Sequence, residues 1–201
     1  MQTLCVLSEF KRGPSLPDRM HEWIEPRKEL GIFTNQIWLS LLLLSIGYLI
    51  FKRKKEAINY LRVGGVVSIV RGIFIFFTSL GPPLAIRESP RFNENFSSIE
   101  NLDISFLMQF YFPMGGILGI EKSVFYLTQD LFFSGHTAST YLLFVCLKKP
   151  EPLKYFFLFF HGITVVLLFL THEHYTIDIM GAYFIVYAIY HYMEKNKYLV
   201  L

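Results

Sequence analysis

Apolar positions along this chain run in long blocks broken by short polar turns, not in the alternation that marks a half-buried strand. A bilayer-crossing helix needs about 20 mainly apolar residues, and Ile32–Phe51 meets that, with Trp38 and Tyr48 near its ends. Ala57–Leu80 is a second block, interrupted by Arg62 and Arg71. Leu131–Leu147 is a third, polar in its first turns; Tyr155–Leu170 is a fourth and Thr176–Tyr192 a fifth. Gly81–Asp130 opens on Gly81-Pro82-Pro83 and continues through an Asn-, Glu- and Ser-rich middle, which reads as loop. Within it, Leu102–Phe112 is apolar enough for a short interfacial or re-entrant helix. The pattern predicts an all-α protein, a polytopic membrane helical bundle of about five spans in a single domain over residues 1–201.

Basic residues orient the spans, because cytoplasmic loops carry an excess of Lys and Arg. Lys52-Arg53-Lys54-Lys55 joins the first two blocks, Lys148-Lys149 and Lys154 join the third and fourth, and Lys195 and Lys197 follow the fifth. These turns read as cytoplasmic. The Gly81–Asp130 loop, the Thr171–Tyr175 turn and the N-terminal segment then face the exoplasmic side, although Lys11, Arg12, Arg19, Arg27 and Lys28 in that segment pull the other way.

Composition agrees: a mean hydropathy of +0.40 with 21 Phe and 12 Tyr in 201 residues belongs to membrane proteins. A net charge of +3 gathered in short clusters does not make a nucleic-acid face. Met1–Lys11 lacks the apolar core and cleavage site of a signal peptide. Cys5 and Cys146, the two cysteines, fall at separate places and predict no disulfide.

Against this background two polar islands stand out, Ser134-Gly135-His136-Thr137 and His174-Tyr175-Thr176-Ile177-Asp178. Ionisable groups within a span cost roughly 2.5–3.5 kcal/mol each on insertion scales, so their presence asks for a function. Both islands come out at the exoplasmic ends of their spans. On a helix His174 and Asp178 lie on one face, where Asp178 fixes the imidazole tautomer and stabilises the cation formed when the other nitrogen attacks phosphorus. His136 follows a helix start at which free N–H groups favour an anion. Gly135 lets phosphate approach that backbone, Ser134 caps the helix or bonds a phosphate oxygen, and His136 serves as general acid and base. Arg71 supplies a guanidinium for phosphate; the competing reading is an arginine snorkelling or paired inside the bundle. His172 reads as interfacial, and His161 and His191 as interior or interface histidines. A metal site from His172, His174 and Asp178 is disfavoured because i and i+2 positions diverge on a helix.

These residues resemble the sphingomyelin synthase family, the lipid-transferase branch of the type-2 phosphatidic acid phosphatase superfamily. Ser15-Leu16-Pro17-Asp18 is similar to its first motif, with Ser15 departing from it, and Val70-Arg71 leading to Thr78-Ser79-Leu80 is similar to its second. Asp130 to Thr137 and His172 to Asp178 are similar to its third and fourth. The third motif normally opens Cys-Gly-Asp; here it is Thr128-Gln129-Asp130, retaining only Asp130 as a supporting group for a histidine. The resemblance implies six spans and an exoplasmic or lumenal reaction; the family's first span precedes the first motif and nothing in this sequence supplies it, so the chain reads as a five-span variant or a truncated form. It implies transfer of a phospho-headgroup, phosphocholine or phosphoethanolamine, from a phospholipid donor to a ceramide-like acceptor in the bilayer. It assigns His136, His174 and Asp178 as a triad without metal or cofactor; Arg71, Ser134, Gly135 and Tyr175 are the candidates for phosphate. Leu168 stands where the hydrolytic phosphatases carry an arginine, which favours transfer. Hydrolysis with water as acceptor, or an inactive lipid-binding relative, are the alternatives.

Overall fold

The computed structural model describes residues 14–78, 80–84 and 132–200. Among them there are six α-helices and no strand: α1 (Arg19–Trp23), α2 (Gly31–Lys52), α3 (Lys54–Thr78), α4 (Gly135–Cys146), α5 (Pro152–Thr171) and α6 (Thr176–Lys195), with a 3-10 turn at Lys28–Leu30. Asp130 and Leu102–Phe112 lie outside the described residues.

Among the described residues, three helices are long and apolar enough to cross a membrane: Phe33–Lys52 within α2, Lys54–Thr78 and Pro152–Thr171. Their surfaces say the same. Leu44, Phe51, Ile69, Phe77 and Phe159 are all well exposed, an apolar outside that suits lipid. The chain is an integral membrane helical bundle. The third predicted span is shorter than expected: α4 has 12 residues, about 18 Å at 1.5 Å per residue, against a hydrocarbon core of about 30 Å. Ser134 caps it at one end and Leu147, in an extended conformation, stops it at the other. The fifth, α6, is 20 residues long, with Asp178 in its first turn and Lys195 in its last.

The short helix is the hub. It packs against α2, α3, α5 and α6, with Ala138, Leu142, Leu143 and Cys146 buried among Val63, Phe157, Phe160 and Val186. Being enclosed, α4 can carry polar atoms only where neighbours answer them. The Thr140 hydroxyl reaches the His136 carbonyl at 2.9 Å, so it accepts from His161 Nδ1–H at 2.8 Å. His161 Nε2 in turn accepts the Tyr183 hydroxyl at 2.7 Å. His161, which showed no partner in the sequence, therefore has two.

The bundle has chemically distinct ends. At one, Arg53 between α2 and α3 pairs with Glu151 before α5, Lys148 pairs with Glu194 at 2.5 Å, and Asn59 holds the Val200 backbone through both amide atoms, at 3.0 and 2.8 Å. At the other, residues 14–27 strap across the helix ends. Arg27 N–H meets the Leu170 carbonyl at 2.7 Å and Gly81 N–H meets the Pro14 carbonyl at 3.1 Å. Both polar islands lie at this second end.

Candidate active site

Two helix starts meet here. Ser134 N–H donates to the Asp178 carbonyl at 3.1 Å, which docks the entrance of α4 on the first turn of α6. Ser134 Oγ accepts from Thr137 N–H at 3.2 Å, the capping bond expected of a Ser at that position. On the α6 side, Asp178 Oδ2 accepts from Tyr175 N–H at 3.0 Å. His174 thus precedes α6 and does not share its helix with Asp178. The pair still meets, because the cap folds the chain back: His174 Nδ1 stands 3.5 Å from Asp178 Oδ2.

The imidazoles of His136 and His174 have ring centres 5.9 Å apart at an interplanar angle of 65°. Asp178 is fully buried and His174 nearly so. Asp178 Oδ1, His174 Nδ1 and Thr137 Oγ1 are buried with no hydrogen-bond partner among the described residues. Unanswered buried polar atoms are rare in folded proteins, and here they cluster on residues of the two islands.

Arg71 comes from α3 and is buried. Its Nε–H donates to the Phe133 carbonyl at 2.8 Å, and its guanidinium lies against Gly135. A Cβ on Gly135 would sit 3.2 Å from Arg71 Cζ and 3.3 Å from Nε. The glycine therefore admits the guanidinium to the start of α4.

Tyr175, expected on phosphate, has other partners. Its hydroxyl accepts from Leu16 N–H at 3.0 Å and donates to the Gly81 carbonyl at 2.9 Å, making it a buried strut between the two flanking segments. Asp18 clamps the same region: one carboxylate oxygen accepts from Thr176 N–H at 2.5 Å and the other from the Thr176 hydroxyl at 2.8 Å and Met20 N–H at 3.0 Å. Burial alone would raise the Asp18 pKa, but those hydrogen bonds outweigh it and hold the carboxyl below its ordinary value. The Pro-Asp motif thus holds the second island in place. A cavity of 340 Å³ lined by Leu16, Asp18, Arg19, Thr176, Ile177 and Met180 lies along this clamp.

Sequence reasoning missed three neighbours. Asn35 and Trp38, both on α2, flank His136: Asn35 Oδ1 is 2.8 Å from His136 Nε2, and the Trp38 ring is 4.3 Å from the imidazole. Glu173, half-buried, accepts from Asn35 Nδ2 at 3.2 Å; burial pushes its pKa up to about 7, against that hydrogen bond. The signal available was an Asn near the start of an apolar block, which needs an answering partner. His172, read as interfacial, is buried: it stacks on His21 at 4.1 Å and donates from Nε2 to the Ile24 carbonyl at 2.9 Å. Its left-handed backbone, φ 54°, ends α5 and turns the chain into the island.

Comparison with known proteins follows these residues. Residues 129–195 match the family described as PAP2 superfamily C-terminal, which covers both islands. The chain is 27% identical over 183 residues to human phosphatidylcholine:ceramide cholinephosphotransferase 2, covering 86% of this chain and 48% of the relative. The Macaca fascicularis protein of that name is likewise 27% identical, and that of Rattus norvegicus 25% over 183 residues. The chain spans about half the length of the curated relatives it matches. No solved structure matches it. These similarities bear out the resemblance to the sphingomyelin synthase family read from the motifs.

Proposed function

We propose that this protein transfers a phospho-headgroup, phosphocholine or phosphoethanolamine, from a glycerophospholipid to ceramide and releases diacylglycerol, at the exoplasmic or lumenal face. The observation that carries the reading is the pairing of His174, backed by Asp178, with a second histidine whose ring centre is 5.9 Å away. Similarity to the cholinephosphotransferases points to the same substrates.

With Nδ1 turned to Asp178, His174 presents Nε2 as nucleophile. Nε2 bonds to phosphorus as the bond to the diacylglycerol oxygen breaks, and that oxygen takes a proton from His136. Asp178 stabilises the phosphorylated imidazole, which is cationic. The ceramide hydroxyl then gives its proton to His136 and attacks phosphorus, breaking the P–N bond and restoring both histidines. Arg71, whose guanidinium lies against Gly135, and Ser134 balance charge on the phosphoryl oxygens together with the α4 N–H groups. Asp130 is carried as a supporting group on the motif alone.

The test is purified protein in liposomes holding labelled ceramide with choline, ethanolamine and inositol phospholipids, read by mass spectrometry. Phospho-ceramide with matching diacylglycerol is the expected result and names the headgroup. Diacylglycerol with free phospho-headgroup makes the acceptor water, and neither product overturns the reading.

A further inference from the structure

We infer that Asn35 is a positioning residue that fixes the ring proton of His136 on Nε2. The catalytic consequence rests on the proposed phosphotransfer; the proton's location does not.

The Gly31 carbonyl can only accept, and it lies 3.0 Å from Asn35 Nδ2, so the amide nitrogen must face it. Asn35 Nδ2 also reaches Glu173 Oε1 at 3.2 Å, and both its hydrogens are then used. Oδ1 is thereby turned to His136 Nε2, 2.8 Å away. An amide oxygen has no proton to give, so Nε2 carries the hydrogen and Nδ1 holds the lone pair of the neutral ring. Trp38 reinforces the pose: its ring packs on the imidazole at 4.3 Å and is itself pinned by Nε1–H donation to Ser139 Oγ at 3.0 Å. Gly31 completes the arrangement, since a Cβ there would come within 3.1 Å of Glu173 Oε1.

The reacting nitrogen of His136 is therefore Nδ1. Asn35 keeps Nε2–H occupied whether the ring is neutral or protonated, so every proton that His136 takes or gives passes through Nδ1. An α2 residue, remote in sequence from both islands, sets which atom does the acid–base work.

Histidine-selective 15N labelling of the full chain in nanodiscs reads this directly, because protonated and unprotonated ring nitrogens resonate far apart. The His136 signal, recorded at a pH where the ring is neutral and assigned by its loss in His136→Gln, is expected as the Nε2–H tautomer. It should remain so in Asn35→Asp, which keeps an oxygen acceptor. In Asn35→Leu and Asn35→Ala both tautomers should appear, and kcat for headgroup transfer should fall at least about 10-fold with KM held, as when an imidazole loses the group that fixes its tautomer. An Nδ1–H signal in the wild type, or an unchanged spectrum in both acceptor-free variants, overturns the inference. Mixed tautomers with undiminished kcat overturn the positioning role. The expected spectra with no transfer or hydrolysis by the wild type support the tautomer and overturn the phosphotransfer reading instead.

Discussion

Two imidazoles with ring centres 5.9 Å apart face partners of opposite kind through opposite nitrogens. His174 turns Nδ1 to the carboxylate of Asp178, 3.5 Å away, while His136 turns Nε2 to the neutral amide of Asn35 at 2.8 Å. A carboxylate at one nitrogen suits a ring proposed to become cationic when the other nitrogen bears a phosphoryl group. An amide oxygen orients the ring through a hydrogen bond, which suits a group proposed to give a proton in one half-reaction and take one in the next. Identical side chains thus acquire different proposed tasks from their second partners, and the difference can be attacked experimentally.

The largest effect is expected at the carboxylate-backed ring. His174→Ala should lower transfer by about 10⁴-fold or more, the scale seen when a nucleophile is removed, and should abolish an acid-labile phosphoenzyme trapped with labelled donor. Its helix content and membrane insertion should match the wild type. Transfer within 10-fold of wild type, by mass spectrometry of the products, would remove His174 from the reaction.

His136→Ala should cost about 10²–10⁴-fold, the range for a lost general acid or base. The two variants should separate on a donor whose leaving group is a nitrophenolate, which departs without protonation. On that donor His136→Ala should recover phosphoenzyme formation and His174→Ala should not. Equal failure of both variants would erase the division of labour.

Gly135→Ala probes the seat of the Arg71 guanidinium at the start of α4. The added methyl would meet the Arg71 guanidinium at 3.2 Å, so either the arginine shifts or α4 does. Overpacking of this kind costs about 1–3 kcal/mol, and Arg71 also loses its seat at the α4 entrance. A lower thermal midpoint with roughly 10-fold slower transfer is expected, and the slowing should shrink in an Arg71→Ala background, where the clash is gone. Full activity in Gly135→Ala would mean that the guanidinium has no tight seat there.

Much of this was legible along the chain because it is written locally. Ser134 caps the helix beginning at Gly135 as its residue type predicts, and the blocks at Ile32–Phe51 and Tyr155–Leu170 fall within helices Gly31–Lys52 and Pro152–Thr171. What escaped was non-local. Asn35 meets His136 across 101 positions, and Asp18 meets Thr176 across 158; neither pairing leaves a periodic trace. Tyr175, expected on phosphate, likewise has its hydroxyl engaged by distant backbone, at Leu16 and Gly81. The His174–Asp178 spacing suggested one helical face, yet the contact is made through the helix cap. Spacing identified the partners but not the local backbone that joins them.

The smallest effect tests whether the amide side is truly neutral. Glu173 lies behind Asn35, and burial raises its pKa from 4.5 to about 7. A carboxyl with a raised native pKa stabilises the fold fully below the unfolded value, loses that contribution as pH rises toward the native one, and gives none above it. The wild-type thermal midpoint in nanodiscs should therefore fall between pH 4.5 and about 7 by more than that of Glu173→Gln, which keeps an oxygen for Asn35 but cannot ionise. The difference should be modest, because Glu173 is only half-buried and water screens its charge. Parallel midpoints across that window would mean that Glu173 ionises as an ordinary carboxylate. His136 would then have a permanent negative charge one residue behind its amide, and its setting would approach that of His174. The contrast between the two rings would survive only in which nitrogen each one presents.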